Sequence, residues 1–542
     1  GDAVSKATSS VGYLVGFQFI SRIGTFLLNL IVVRKVSPAV FGIGNGHLQL
    51  FLTIALLLTR EGYRKAITRF DIVNNTKKND PNHLPIPSLI RIIWSVVPLG
   101  LVVTFTTFYL TITWRSEEEL LFENYELFFI IASFAVILEI FSEPFWIVMQ
   151  MLFCIKQRVS IEALAMFVKC ISISIFVYFE MGLLSFAWGQ VGYSIILLLG
   201  FIYYFKKNVG TKENGKPFPF KSFRELFPII PSSFSMDERT KETFTLVLSF
   251  TWQSFEKLLL QESEKLVLKF TNTLTDQGIF SVVSNLGSLV VRFLFQPVEE
   301  IGFTLFGKLL TETNKKQKDK NLIICSRVLV CVLKLMILIG LVFICFGMNY
   351  STALLELLYG EKYGRLSSAP SVLSIYCILV FFMAINGITE GFFSASASPK
   401  QVKYHNIAMV IFSIIYIIVC IFLVKYYGTT GLVFANCVNM FGRICFSLYF
   451  IKRNLYDTKT SGLIPFKSSI PHPILLVSFI ISFVITRLSE YNLYINSPFS
   501  FIIFLQHTSI GCICLLITLI IFYVKEKEFI KSLKSLRHNK TE

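Results

Sequence analysis

The sequence predicts an all-α polytopic membrane protein of about 14 transmembrane helices, built as two pseudo-symmetric six-helix lobes plus two C-terminal helices. Three observations predict it. The 542-residue chain is 54% hydrophobic with a mean hydropathy of +0.64, and its apolar runs recur from end to end. Each run is roughly 18–26 residues long, enough to cross about 30 Å of hydrocarbon. Second, the basic residues alternate between connections. Those after even-numbered spans hold most of the Lys and Arg, while those after odd-numbered spans hold only Arg34, Lys35, Arg115, Lys362, Arg365, Lys425 and Arg487. Third, an even span count precedes a long polar segment, which gives two halves of equal orientation.

In chain order, the spans centre near residues 22, 49, 101, 137, 170, 194, 257, 290, 335, 380, 414, 440, 481 and 511. The first begins near Val11 and carries Gln18, Arg22 and Asn29 with no small-residue cleavage pattern after it, so it reads as a membrane helix and not as a secretory signal. Residues 60–87 form a polar interruption after the second span. The organisation expected is an N-terminal lobe over 1–205, an interlobe linker over 206–245 and a second lobe over 246–453. Two additional helices follow over 454–523, then a basic tail over 524–542. The seventh span, "WQSFEKLLLQESEKLVLKF", is dense in charge and cannot face lipid all round. No residue-level repeat relates the two lobes, so the two-lobe plan rests on topology.

The positive-inside rule places both termini, the linker and the tail in the cytosol. The net charge of +17 then needs no nucleic acid, because an anionic cytosolic leaflet attracts those Lys and Arg residues. Glu117, Glu118, Glu119, Glu123 and Glu126 gather on the opposite, lumenal side. Of the sequons at Asn74, Asn349 and Asn539, only Asn349 falls on that side, close against its helix.

Several chemistries are missing. The eleven cysteines are scattered through apolar runs, and the lone close pair Cys512-x-Cys514 lacks metal-ligand spacing. "GFTLFGKL" (302–309) approaches a phosphate-binding loop, but Leu309 stands where Ser or Thr is needed and no strand precedes it. The histidines are dispersed, and no paired-Asp diphosphate–metal motif occurs. No catalytic residue, metal or cofactor is expected, and these absences argue against an ATPase or a metal-dependent transferase and for movement through the bilayer.

The informative polar residues lie inside the spans. Ser281, Asn285, Ser288, Arg292, Gln296 and Glu299 recur at three- and four-residue steps and share one helical face. Arginine at mid-helix costs about 2.5–3.5 kcal/mol on insertion scales, so such a face looks into a bundle or a wet cavity. Gln18, Arg22, Thr25 and Asn29 repeat the design, as do Asn436, Asn439 and Arg443. Glu139, Glu143, Asn386, Glu390 and Lys334 add further charge and polarity. Two readings of the set stand: cross-helix pairs that fix packing, or a cationic cavity for an anion. Clustered Arg suits a diphosphate, whose oxygens its planar fork bonds bidentately. Pro297 cannot donate to the carbonyl of Phe293, so the eighth helix should kink there.

The stretches "RIGTFLLNLIVVRKVSP" (22–38), "LLTREGYRKA" (57–66), "SEPF" (142–145), "LLQESEKLVLKF" (259–270), "DQGIFSVVSNLGSLVVRFLFQPVEE" (276–300), "AINGITEGF" (384–392) and "ANCVNMFGRI" (435–444) carry a resemblance. In these the chain resembles the Rft family of endoplasmic-reticulum membrane proteins, over nearly its whole length and least at the last two spans and tail. The resemblance implies a fold related to multidrug exporters and to the flippase of the peptidoglycan precursor lipid. It also implies a role in N-glycosylation: translocating, or assisting translocation of, the dolichyl-diphosphate oligosaccharide with five mannoses and two N-acetylglucosamines. The partners implied are that lipid, membrane lipids and other proteins of the glycosylation pathway. Expected substrate contacts are Arg22, Arg64, Arg292 and Arg443, with Lys265, Gln18, Asn29, Asn285 and Gln296 around them. Glu143, Pro297, Glu299, Glu300 and Glu390 are the expected gating group, and Arg34 and Arg60 the expected edge anchors. The lobes would rock around the cavity. The alternatives are a non-transporting binder of the same glycolipid and a multidrug-type exporter. No acid is singled out as an ion-coupling group.

Overall fold

The computed structural model describes residues 24, 26–67, 85–152, 154–210, 212–213, 216–217, 220–228, 238–310, 315–397, 399–453, 463, 465–496 and 500–538. The fold is all-α, and by its internal contacts the chain divides into two compact units, Gly1–Gly278 and Ile279–Glu542.

In the first unit, helix α1 (26–35) leads into α2 (Pro38–Ile67). Ser37 caps α2 by accepting from Val40 N–H, and Pro38 occupies the first turn, where its missing donor costs nothing. Helix α3 (Ile86–Thr113) is interrupted at Ser95, which donates to the Ile92 carbonyl at 2.7 Å. A single acidic turn, α4 (Glu117–Leu120), is closed by a capping box between Ser116 and Glu119. Then come α5 (Tyr125–Met151), α6 (Ile155–Tyr178) and α7 (Leu184–Asn208). Part of the expected linker folds onto this unit. After a two-residue hairpin, Lys212–Glu213 with Lys216–Pro217, the rings of Phe223 and Phe227 pack against Phe145, and Trp94 Nε1 donates to Leu226 O at 2.7 Å.

Helix α8 (Glu238–Thr271) holds the charged seventh segment. The sequence reading gave it to the second lobe, but it packs lengthwise on α2 within the first unit. The close approach is at Gly62, where a Cβ would lie 2.1 Å from Thr251 Oγ1 and 2.8 Å from Val247 O.

Helix α9 (Leu274–Val290) leads into the second unit. It continues through a π-helical turn, Val291–Phe295, into α10 (Gln296–Leu310). The expected interruption near Pro297 therefore takes the form of a π turn one residue before Gln296. Widening the ladder accommodates the donor that Pro297 lacks. The near-match to a phosphate loop, Gly302–Leu309, is simply helical. Helices α11 (Lys315–Val342), α12 (Ser351–Tyr359), α13 (Ala369–Ser396) and α14 (Pro399–Ile451) follow. Helix α14 breaks at Gly428 (φ 54°, ψ −138°), which divides the eleventh and twelfth expected spans. Its outward Ile414, Ile418 and Phe422 are exposed, as side chains against lipid must be. Helices α15 (Pro473–Ser489), α16 (Phe501–Lys525) and α17 (Lys527–His538) complete the chain.

Among the described residues, 11 segments are long and apolar enough to cross a membrane. They cover twelve of the expected centres, because Gln401–Ile451 holds two. Of the other two, the first centre lies outside the described residues and the seventh is too charged to qualify.

Candidate functional site

The stretch "LLTREGYRKA" on α2 acts residue by residue. Arg60 Nη1 donates to Glu139 Oε1 at 2.8 Å, and Arg64 grips Glu143 with Nε at 2.5 Å and Nη2 at 2.7 Å. Gly62 admits α8, and the Tyr63 hydroxyl meets Ser95 Oγ at 2.9 Å. Both ion pairs join residues 79 apart, so α2 and α5 run parallel, as two even-numbered spans must. Arg60, expected at a membrane edge, is instead bonded into the helix bundle. The reason is electrostatic: Glu139 and Glu143 are 4% and 3% exposed, and a carboxylate so buried requires a cationic partner.

Sequence reasoning missed the residues that extend this pair. The guanidinium groups of Arg64 and Arg158 lie 3.6 and 4.5 Å from the centre of the Trp146 ring, whose Nε1 donates to Glu162 Oε1 at 2.7 Å. Arg158 also reaches Gln150 Oε1 at 2.5 Å, and Gln190 donates to Glu139 at 3.3 Å. A signal was present: Glu139, Glu143, Trp146 and Gln150 repeat at four-, three- and four-residue steps and so share a face of α5.

The second unit repeats the pairing. Arg443 Nη2 donates to both oxygens of Glu390, at 2.9 and 2.7 Å, and Asn386 Nδ2 donates to Glu390 Oε2 at 2.9 Å. In the expected numbering, Glu143 and Glu390 each sit on the fourth helix of a set of six. Around Arg443, the buried atoms Asn386 Oδ1, Asn439 Oδ1, Arg443 Nε and Ser447 Oγ have no hydrogen-bond partner among the described residues. Asn439, Arg443 and Ser447 lie at steps of four on one face, a strip whose polarity calls for water or a polar guest.

The remaining expected residues distribute as follows. Arg292 lies inside the π turn and is exposed, with no ion pair to it among the described residues. Asn285 and Gln296 are exposed near it along the helix, Ser288 is half-buried and Ser281 is buried. Pro297 is exposed in the first turn of α10. The Glu299 carboxylate rests against Gly387 of α13, where a Cβ would lie 1.7 Å from Oε1. Lys265 pairs with Glu262 one turn away at 2.8 Å, and Asn29 is exposed on α1. Gln18, Arg22 and the Glu300 side chain lie outside the described residues.

A further buried cluster occupies the opposite end of the first unit. Glu119 lies 2.9 Å from His47 Nδ1 and 3.8 Å from Lys269 Nζ, while Gln277 bonds His47 Nε2. Glu118 caps α9 by accepting from Leu274 N–H at 2.9 Å. Burial alone would push the Glu119 carboxyl up; the bond to His47, the Lys269 ammonium and the Ser116 N–H outweigh it and hold the group below its ordinary value.

A family model described as Rft protein matches residues 6–536. A protein of Dictyostelium discoideum named Man(5)GlcNAc(2)-PP-dolichol translocation protein RFT1 is 37% identical, the match covering 97% of this chain and 96% of that one. Proteins of the same name from Xenopus tropicalis and Mus musculus are 34% and 31% identical, over 100% and 99% of this chain and 99% and 96% of theirs. Among solved structures, the lipid II flippase MurJ in an inward closed conformation superposes with a TM-score of 0.61 at 17% identity, covering 94% of this chain and 98% of its own. An inward-facing multidrug resistance MATE family transporter of the MOP superfamily gives 0.57 at 13% identity, covering 80% and 96%. At those identities the likeness is one of fold. The relatives are named as translocation proteins and the neighbours as a flippase and a transporter, none as an enzyme.

Proposed function

Because the chain belongs to the Rft protein family, we propose that it translocates, or assists in translocating, a dolichyl-diphosphate oligosaccharide of five mannoses and two N-acetylglucosamines across the endoplasmic-reticulum membrane. The observation that carries this reading is 37% identity to a protein of that name over nearly the full length of both chains. The lipid moves from the cytosolic to the lumenal leaflet, and both termini face the cytosol.

The chemistry of such a cargo fits the polar residues described. A diphosphate needs cations, a sugar head needs a wet polar lining, and a dolichyl tail needs only lipid. Arg292, with Asn285 and Gln296 along the same helix, is the cation we assign to first contact, since exposure to hydrocarbon would be costly. Arg64 and Arg443 act differently. Each is held by a carboxylate, so a diphosphate takes either one by competing with Glu143 or Glu390. Exchange of partner is a switch: the acid released must find another cation or a proton, and the helices that carry the pair shift as it does. Rocking of two helical lobes is the motion proposed.

The test is binding of the authentic glycolipid to the purified full chain. The reading expects the diphosphate oligosaccharide lipid to bind more tightly than dolichyl monophosphate, with Arg292→Glu weakening the former most. Equal affinity for the two lipids, unaffected by Arg292→Glu, would remove the diphosphate from the account.

A further inference from the structure

Away from these pairs, the second unit holds a cavity of about 560 Å³ where α11, α15, α16 and α17 meet. It lies at the end where α15 begins and α16 finishes. Its charged lining is Arg327, Lys334, Lys467 and Lys525, facing Glu526 and Glu528.

One buried carboxylate builds the site. Glu526 is 4% exposed, pairs with the Lys334 ammonium at 2.6 Å and accepts from His472 N–H at 2.7 Å. It thus ties α11, the start of α15 and the α16–α17 junction together, and neutralises Lys334. Arg327, Lys467 and Lys525 are exposed around the opening, and no ion pair joins them to an acid among the described residues. Phe529 closes one wall beneath Lys334, 5.5 Å from its ammonium. Ser468 and Ser532 add hydroxyls.

The depth of the site follows from its helices. The apolar run of α16 ends at Lys525, and α15 starts from Pro471-His472-Pro473. Helix α17, "KEFIKSLKSLRH", spaces Phe529, Leu533 and Leu536 at steps of four and three with Lys between them. That pattern belongs to a helix lying in the interface plane, at headgroup level. The loop charges assign this end to the cytosol.

We infer that this cavity is a binding site for a phosphate monoester of the cytosolic leaflet, of the kind carried by a phosphorylated inositol lipid headgroup. A pocket with surplus Lys and Arg at the membrane surface, roomy enough for a sugar-sized head and lined by hydroxyls, matches that chemistry. The site is separate from the translocation reading and uses none of its residues.

The test uses the purified full chain in neutral detergent, titrated with dioctanoyl phosphatidylinositol 4-phosphate, dioctanoyl phosphatidylcholine and inorganic phosphate. The phosphoinositide is expected to bind at least about ten-fold tighter than phosphatidylcholine. The double variant K467A/K525A should lose about 30-fold, while K467R/K525R stays within about two-fold of the parent. Displacement by millimolar inorganic phosphate would assign the site to soluble phosphate, and resistance to it would assign it to the lipid headgroup; both uphold the phosphate chemistry. Equal binding of the two lipids, or an unchanged affinity in a monodisperse K467A/K525A, would overturn it.

Discussion

Removing Arg64 should expose how much the first unit depends on its pair with Glu143. Glu143 is 3% exposed and takes two charge-assisted bonds from one guanidinium, which also lies 3.6 Å over Trp146. Arg64→Gln leaves a buried carboxylate without its partner, a loss of about 3 kcal/mol at the low end of the range for such pairs. The low end applies because a second guanidinium, that of Arg158, also lies over Trp146 and supplies some compensation. Glu143→Gln should cost less, about 1–2 kcal/mol, since Arg64 is one-fifth exposed and can turn to water. The double variant carries neither charge of this pair, so its cost should fall well short of the sum, with a coupling of about 2 kcal/mol. Thermal unfolding of the four purified proteins in one detergent gives the ordering. Additive losses, or an Arg64→Gln protein that melts like the parent, would refute the pairing argument. The swapped variant R64E/E143R adds a functional readout: restored melting with failed rescue of N-glycosylation would mark Arg64 as a cargo contact beyond its structural part.

Three further outcomes follow from named contacts. Arg292→Glu should leave protein level and melting unchanged, because Arg292 is exposed and no ion pair to it is found among the described residues, while rescue of underglycosylation in cells lacking the protein is lost; degraded protein would point to a packing role. Glu119, held below its ordinary value, contributes stability that is complete above the usual carboxylate pKa of about 4.3 and is lost as pH falls through the lowered folded value. Glu119→Gln should therefore lower melting at neutral pH and flatten its decline in acid, and a parallel downward shift at every pH would contradict this. Asn349 should carry no glycan despite its sequon: it is 1% exposed and its amide donates to Phe483 O at 3.0 Å and Thr486 Oγ1 at 2.8 Å. A glycosidase-sensitive mobility shift abolished by Asn349→Gln would overturn that, and Asn349→Ala should destabilise by about 1–3 kcal/mol.

The helices and their polar faces were legible because both are local. Spans follow from runs of apolar residues, and the stripe through Asn285, Arg292 and Gln296 follows from helical period alone. Partners were not legible, because they depend on which helices lie side by side. Arg60 looked like an edge anchor on α2 until α5 brought Glu139 to it. Helix α8 looked like the start of a second lobe because it follows the linker, yet Gly62 opens a place for it on α2. Trp146 carries no charge to mark it among the apolar residues of α5, although it sits on the same face as Glu139 and Glu143. The π turn at 291–295 was half legible: Pro297 announced an interruption, but sequence does not tell a kink from an added residue in the turn.

The most direct test of the central claim is transport itself. The full chain is reconstituted into vesicles with the authentic dolichyl-diphosphate glycolipid, and a leaflet-specific probe follows its distribution. The account predicts that the lipid crosses faster than in protein-free vesicles and that Arg292→Glu slows the crossing. Crossing no faster than in empty vesicles, under any imposed gradient and with glycolipid binding intact, would contradict translocation and leave the chain as a binder that hands the lipid on.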